Sequence, residues 1–474
     1  MSLRRSRARV VLALSAVLLT ASSCGAPSQS LCRGCNVILL SIDTLRADAL
    51  GSYGYQRNTT PGLDRRAGDG VVFVRAHSQS PWTVPAHFSI LTGLYPSNHG
   101  VIVNQNRLAR HHPTMASALQ ASGYETAAFV GGGYLDAFYG YDHGFDRYES
   151  RWVRYSRRVL PSWDDFLETA KSWLQSTADS PFFLFLHTYQ VHDFGNVDDA
   201  TFIDPALAKA FGRRDLLRAA DWLRFQKITD REEALLRYMR QRYDSALHQL
   251  DRRLGGFFEF LESSGLWKNT ILVITSDHGE EFGDHGHTAH GSTLYQEMIR
   301  VPLIIWLPPR LGLRGKIDTP VASVDILPTA LDLLGLEPIA SDGISLVPLL
   351  EGLRGEGTVE KRPSHEGRVI FSEVDENAKK FSALRQGGKL IYGPREGGAR
   401  NENPVQWEYY DLRRDPRESK DLCREGTAAC GAEDLRRALV RAAERSGIAR
   451  QRTEGGELPA ELLEQLEALG YVAE

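Results

Sequence analysis

The segment Asn36-Val37-Ile38-Leu39-Leu40-Ser41-Ile42 is a near-continuous apolar run that stops at Asp43. A run this short and this apolar suits a strand buried on both faces of a parallel sheet, which has no solvent side on which to alternate. The form recurs at Pro181 to Leu186 before His187 and His192, and at Thr270 to Thr275 before Ser276-Asp277-His278-Gly279. Each run is followed by groups that can bind a metal or move a proton, and in open α/β sheets chemistry gathers beyond the carboxyl ends of strands. Amphipathic stretches at Ala116 to Ala121 and Tyr243 to Glu262 separate the runs. Helices therefore alternate with strands, and the class is α/β.

At 474 residues the chain is too long for one compact core, so a large domain with a smaller companion is expected. The polar, Gly-rich stretch Glu351 to Gly367 reads as the linker, placing the larger domain at 36–355 and the smaller at 365–474. Short strand patterns at Val369 to Tyr392, then helical spacing at Asp434 to Ser446 and Pro459 to Leu469, make the smaller domain a sheet with covering helix. A formal charge of −4 with both signs dispersed gives no electrostatic reason to expect nucleic acid.

Arg4, Arg5, Arg7 and Arg9 followed by the apolar run Val10 to Thr20 form a signal peptide, residues 1–23, rather than a membrane span. Ala21-Ser22-Ser23 before Cys24-Gly25 resembles a bacterial lipoprotein cleavage box, with Ala21 where that pattern prefers Leu. The expectation is an exported protein tethered through residues 24–35 to a membrane by lipid on Cys24. The remaining four cysteines, Cys32, Cys35, Cys423 and Cys430, suit two local disulfides in an oxidising compartment.

Ligating groups concentrate in four segments: Asp43-Thr44-Leu45-Arg46-Ala47-Asp48, Trp82-Thr83-Val84-Pro85-Ala86-His87, His187 to His192, and Asp277-His278-Gly279-Glu280-Glu281. Singly each has an ordinary structural explanation: Asp43 or Thr83 as a helix cap, Asp-His-Gly as a turn, His187 as a satisfied core histidine.

In order and context these segments resemble the sulfatase family of the alkaline-phosphatase-like superfamily, over the chain from Asn36 onward. Asp43 to Gly54 is similar to that family's first metal motif, continued by Thr59 to Asp64 and Leu91 to Gly100. Ser276 to Glu280, with Gly291 to Glu297 and Arg300 to Ile304, is similar to the second; Val324 to Thr329, Asp342 to Leu346 and Tyr410 to Pro416 resemble later signatures. The resemblance implies a mixed, largely parallel sheet sandwiched by helices, a small C-terminal sheet-and-helix domain, and an ester hydrolase using one divalent metal ion.

Carried over residue by residue, Asp43, Asp277 and His278 resemble metal ligands, with Thr83 as nucleophile and further ligand. His192 and His290 resemble proton-handling residues, and His87 and Arg46 substrate-binding ones, although Arg46 also fits a structural link. Three oxygens and one imidazole favour zinc or manganese over magnesium or calcium. The family's usual Cys or Ser, matured to formylglycine, is here Thr83, with Pro85 and His87 where Pro and Arg stand. No formylglycine is therefore expected. Thr44 replaces a common second metal Asp, and Val130 to Leu135 lacks the Lys and His that hold sulfate in many relatives. These departures favour phosphoryl esters, as in Thr-nucleophile relatives such as phosphoethanolamine and phosphoglycerol transferases. A sulfuric ester hydrolase and a non-catalytic binding lipoprotein are the alternatives. The substrate would be a sulfate or phosphate ester of a glycan, lipid or small soluble alcohol.

Overall fold

The computed structural model describes residues 30–150, 163–177, 180–212, 230–354, 365, 367–374, 379–394, 405–423 and 432–450. The signal peptide, Cys24, Cys430, most of the linker and the helix expected at Pro459 to Leu469 lie outside them.

The larger sheet has eight strands: β1 Asn36–Ile42, β2 Val71–Phe73, β3 Glu125–Val130, β4 Arg147–Ser150, β5 Phe182–Thr188, β6 Thr270–Thr275, β7 Leu303–Trp306 and β8 Gly315–Ile317. Their spatial order is β8-β2-β7-β6-β1-β5-β3-β4. All neighbours are parallel except β7, which runs antiparallel to both β6 and β2. The three apolar runs picked out in the sequence are thus β1 at the centre, flanked by β5 and β6.

Helices cover both faces, and the side-chain alternation of β1 shows why apolar residues stand on both of its faces. Val37 and Leu39 enter one core with Phe88 and Leu91 of α2 (Thr83–Thr92) and with Leu327 and Leu331 of α6 (Ile326–Leu334). Ile38, Leu40 and Ile42 enter the other, against Trp173 of α4 (Trp163–Ser176) and Leu247, Leu250 and Leu254 of α5 (Asp230–Ser263). Each such buried side chain contributes roughly 1.5–3 kcal/mol relative to exposure. Helices α1 (Pro61–Asp69) and α3 (Met115–Ala121) complete the layers. Helix α5 begins thirteen residues before the stretch expected from sequence, because Leu235, Tyr238 and Met239 supply a small satellite core to its charged first turns.

A second, antiparallel sheet follows in the order β9 (Ile370–Val374), β10 (Lys380–Arg385), β11 (Gly388–Pro394) and β12 (Val405–Asp411). Helix α7 (Glu433–Arg450) covers it through Leu435 and Leu439 on Phe381, Ala383 and Leu390. Cys32 and Cys35 form a disulfide just before β1, and Cys423 is also disulfide-bonded. Among the described residues no helix is long and apolar enough to cross a membrane.

The two sheets meet at the hairpin region 281–297, which follows the Asp277-His278 pair. Lys389 of β11 lies 2.7 Å from Glu418, both side chains fully buried, and its ammonium donates to the Leu294 carbonyl. Glu418 in turn accepts from the Gln296 amide at 2.6 Å. A buried pair of this kind is costly to break from one side, by about 3–5 kcal/mol, because the remaining charge is left without compensation.

Candidate active site

The strand ends set the site. Asp43 follows β1, and the β1–β5 register places Ser41 beside His187. His187 Nε2 lies 3.1 Å from Asp43 Oδ2. Asp277 and His278 leave β6, the other neighbour of β1. The Asp277 Oδ1 atom accepts from the amides of His278 at 2.9 Å and Thr44 at 3.3 Å. Thr44 adopts φ +56°, a left-handed conformation unfavourable for a β-branched residue, which costs of order 1–3 kcal/mol and is held by its surroundings. That turn brings Asp43 and Asp277 together.

Thr83 is the first residue of α2, and Trp82, in extended conformation, takes the N-cap position with no side-chain cap bond. The capping explanation of Thr83 therefore fails. Its hydroxyl is 3.3 Å from His278 Nε2, fully buried and at the end of a helix where amide dipoles favour negative charge. One turn on, His87 bonds the Ser41 hydroxyl at 2.9 Å and the Thr83 carbonyl at 3.0 Å, with Nδ1 3.5 Å from Asp277 Oδ2. It braces the cluster from behind.

Electrostatics of the cluster favour a cation. One oxygen each of Asp43 (Oδ1) and Asp277 (Oδ2) is buried without a hydrogen bond, and ligand atoms of Asp43, Asp277 and His278 all lie within 4.8 Å of one another. Burial and the neighbouring Asp277 charge push Asp43 well above the usual carboxylate range. Burial also acts to raise Asp277, but the imidazoles of His278, His87 and His187 outweigh it and hold this carboxyl low. Two close carboxylates and an imidazole with free lone pairs form a donor set that a divalent ion fits. When bound, such an ion polarises the ester and favours the ionised form of a nearby hydroxyl.

On the other side of the cluster stand His192 and His290. Their rings are 5.0 Å apart, and His290 is 4.7 Å from the ring of His278 and 5.5 Å from that of Trp82. Burial lowers His192 to about 3 and His290 to about 4. Glycines make this packing feasible: a Cβ on Gly279 would meet the Glu297 carbonyl at 1.8 Å, and one on Gly291, at φ +87°, would meet the Trp82 ring at 2.3 Å.

The expected site residues thus converge, with one exception. Arg46 Nη1 donates to Asp284 at 2.8 Å and to the Glu280 carbonyl at 2.9 Å, while Nη2 and Nε bond Asp48 at 2.7 and 2.8 Å. Those bonds are those of a structural link, the alternative weighed from sequence. Arg46 also lines a separate cleft of about 1020 Å³, with Arg240 and Phe282 and without any member of the metal cluster. His187, read from sequence as a core histidine, is fully buried and hydrogen-bonded to Asp43 Oδ2. Glu280, given no role by sequence, lies 3.1 Å from His290.

The general sulfatase family model matches residues 35–336, and that of the C-terminal part of N-sulphoglucosamine sulphohydrolase matches residues 283–445. The chain is 27% identical to the multifunctional alkaline phosphatase superfamily protein PehA of Trinickia caryophylli, over 73% of this chain and 83% of that protein. It is 24% identical to N-acetylglucosamine-6-O-sulfatase of Bacteroides thetaiotaomicron, over 85% of each. The fold superposes on phosphonate monoester hydrolase of Agrobacterium radiobacter with a TM-score of 0.63 at 22% identity, covering 88% of this chain and 96% of that one. With the sheet order, the buried donor set and a family match over most of the chain in hand, this protein belongs to the sulfatase family and is an ester hydrolase.

Proposed function

We propose that the chain hydrolyses phosphoryl esters by way of a covalent intermediate on Thr83. The carrying observation is the Thr83 hydroxyl, 3.3 Å from His278 Nε2, buried beside the unpaired oxygens of Asp43 and Asp277. Thr83 offers one hydroxyl. A hydrated aldehyde has two, so that one can attack sulfur while the other expels sulfate by elimination; with a single hydroxyl that route is closed. A phosphorylated threonine can instead be resolved by in-line attack of water at phosphorus, with His192 or His290 handling the proton. An acceptor alcohol in place of water would make the same site a transferase.

A second reading, hydrolysis of sulfuric esters on glycans, is favoured by the sulfatase relatives, N-acetylglucosamine-6-O-sulfatase among them. The two are separated by assaying aryl sulfates, phosphate monoesters, phosphodiesters and phosphonates with purified protein in several metals. Phosphoryl esters are expected to turn over fastest. Arylsulfates cleaved faster than every phosphorus ester would transfer the assignment to the second reading.

We further propose that the mature protein is a lipoprotein on the outer side of a bacterial membrane, from the basic, apolar and small residues that precede Cys24. Cys24→Ala should release the protein from membranes and remove the lipid mass. Equal membrane association and an unshifted mass would refute the anchor.

A further inference from the structure

We propose that the cleft beside Arg46 is a second binding site, for a short oligosaccharide that carries several anionic groups. The proposal is independent of which ester the metal site turns over, since no metal ligand stands among the described residues that line the cleft. Its volume of about 1020 Å³ is at the upper end of small-molecule sites, roughly 300–1,000 Å³, and exceeds what one free oxyanion would fill.

The charges of the cleft do not cancel. Its carboxylates are all engaged: Asp48 and Asp284 bond the Arg46 guanidinium at 2.7 and 2.8 Å, and Glu297 lies 2.5 Å from His285 Nδ1. Of the arginines that line it, Arg46 is taken up by those two carboxylates, and Arg240 gives Nε to Asp244 at 3.2 Å. Arg237, Arg300 and Arg417 have no carboxylate within ion-pair distance among the described residues. Arg300 donates only to the Val74 carbonyl, at 3.0 and 3.2 Å, while Arg237 and Arg417 are exposed. Guanidinium forks of this kind match sulfate, phosphate and carboxylate groups.

Apolar faces stand beside these charges. Tyr53, Tyr55 and Phe282 line the cleft, and the hydroxyls of the two tyrosines are committed elsewhere, Tyr53 to the Phe73 and Leu303 carbonyls and Tyr55 to Asp244. Arg240 lies 4.9 Å from the Tyr55 ring centroid and 5.7 Å from that of Phe282, a cation–π arrangement that ties charge to the aromatic patch. The carbon faces of a sugar ring pack on such a patch while the unpartnered guanidiniums take its anionic substituents. A bare inorganic anion would use only the second feature.

The test is calorimetric binding to the full chain of a short dextran sulfate oligomer, neutral dextran of equal length, inorganic sulfate and ATP. The sulfated oligomer should bind tightest and neutral dextran not at all. Arg237→Glu combined with Arg417→Glu should weaken the oligomer by about 10-fold or more, with melting temperature and turnover of small esters unchanged. The same charge change made as Arg314→Glu with Arg441→Glu, at exposed positions outside the cleft, should have less than about a 2-fold effect at physiological salt. Equal weakening by the two pairs, or no weakening by the first, would overturn the proposal. So would sulfate or ATP bound as tightly as the oligomer.

Discussion

Thr83→Ala is expected to lose turnover by about 10⁴-fold or more, the scale seen when a covalent nucleophile is removed and binding alone remains. The fold should survive, because Trp82 and not Thr83 occupies the N-cap of α2 and the deletion removes only a hydroxyl and a methyl from a packed site. The stability change is then of order 1 kcal/mol. Thr83→Ser keeps the oxygen and should keep part of the rate, reduced by the extra freedom of an unbranched side chain. Steady-state rates, a thermal melt and the intact mass of enzyme quenched during turnover check all three points. An active alanine variant would sink the covalent route.

The second large effect is expected at Asp277. Asp277→Ala should lower the bound divalent ion from about one per chain to near none, and turnover by about 10³-fold or more. This residue is the hub of the cluster: Oδ1 receives the amides of Thr44 and His278, and Oδ2 faces His87 and His278. Elemental analysis of wild type and variant is the measurement, with zinc or manganese the proposed ion. Stoichiometric calcium, retained in the variant, would contradict both the ligand set and the choice of metal.

Much of this site is legible in the sequence because it stands where short apolar runs end. Asp43 follows one strand, and Asp277 with His278 follows another, each of a composition that requires burial on both faces, and the two strands prove to be neighbours. What stays hidden is contact between strands. The Asp43–His187 bond and the Ser41–His87 bond join residues 144 and 46 positions apart, and no periodicity announces a register. Arg46 shows the converse: a cation beside such a motif invites a substrate role, and in the fold its guanidinium is bonded to Asp48 and Asp284, as the structural link also weighed from sequence would be. Glu280 stands two residues from His278 and ten from His290, which it bonds at 3.1 Å, a pairing set by how the chain turns back through glycines rather than by spacing.

The Lys389–Glu418 pair alters what counts as the catalytic part of the molecule. Because it holds Leu294 and Gln296 within the segment that follows His290, the C-terminal sheet is a brace for one wall of the site and not an appendage to it. Local opening of that wall must separate buried charges, so the segment and the small sheet share one opening event, closer in cost to unfolding than to loop motion. A recombinant piece ending near residue 355 would therefore carry Asp43, Asp277 and His278 and still lack the scaffold that holds the segment after His290 in place.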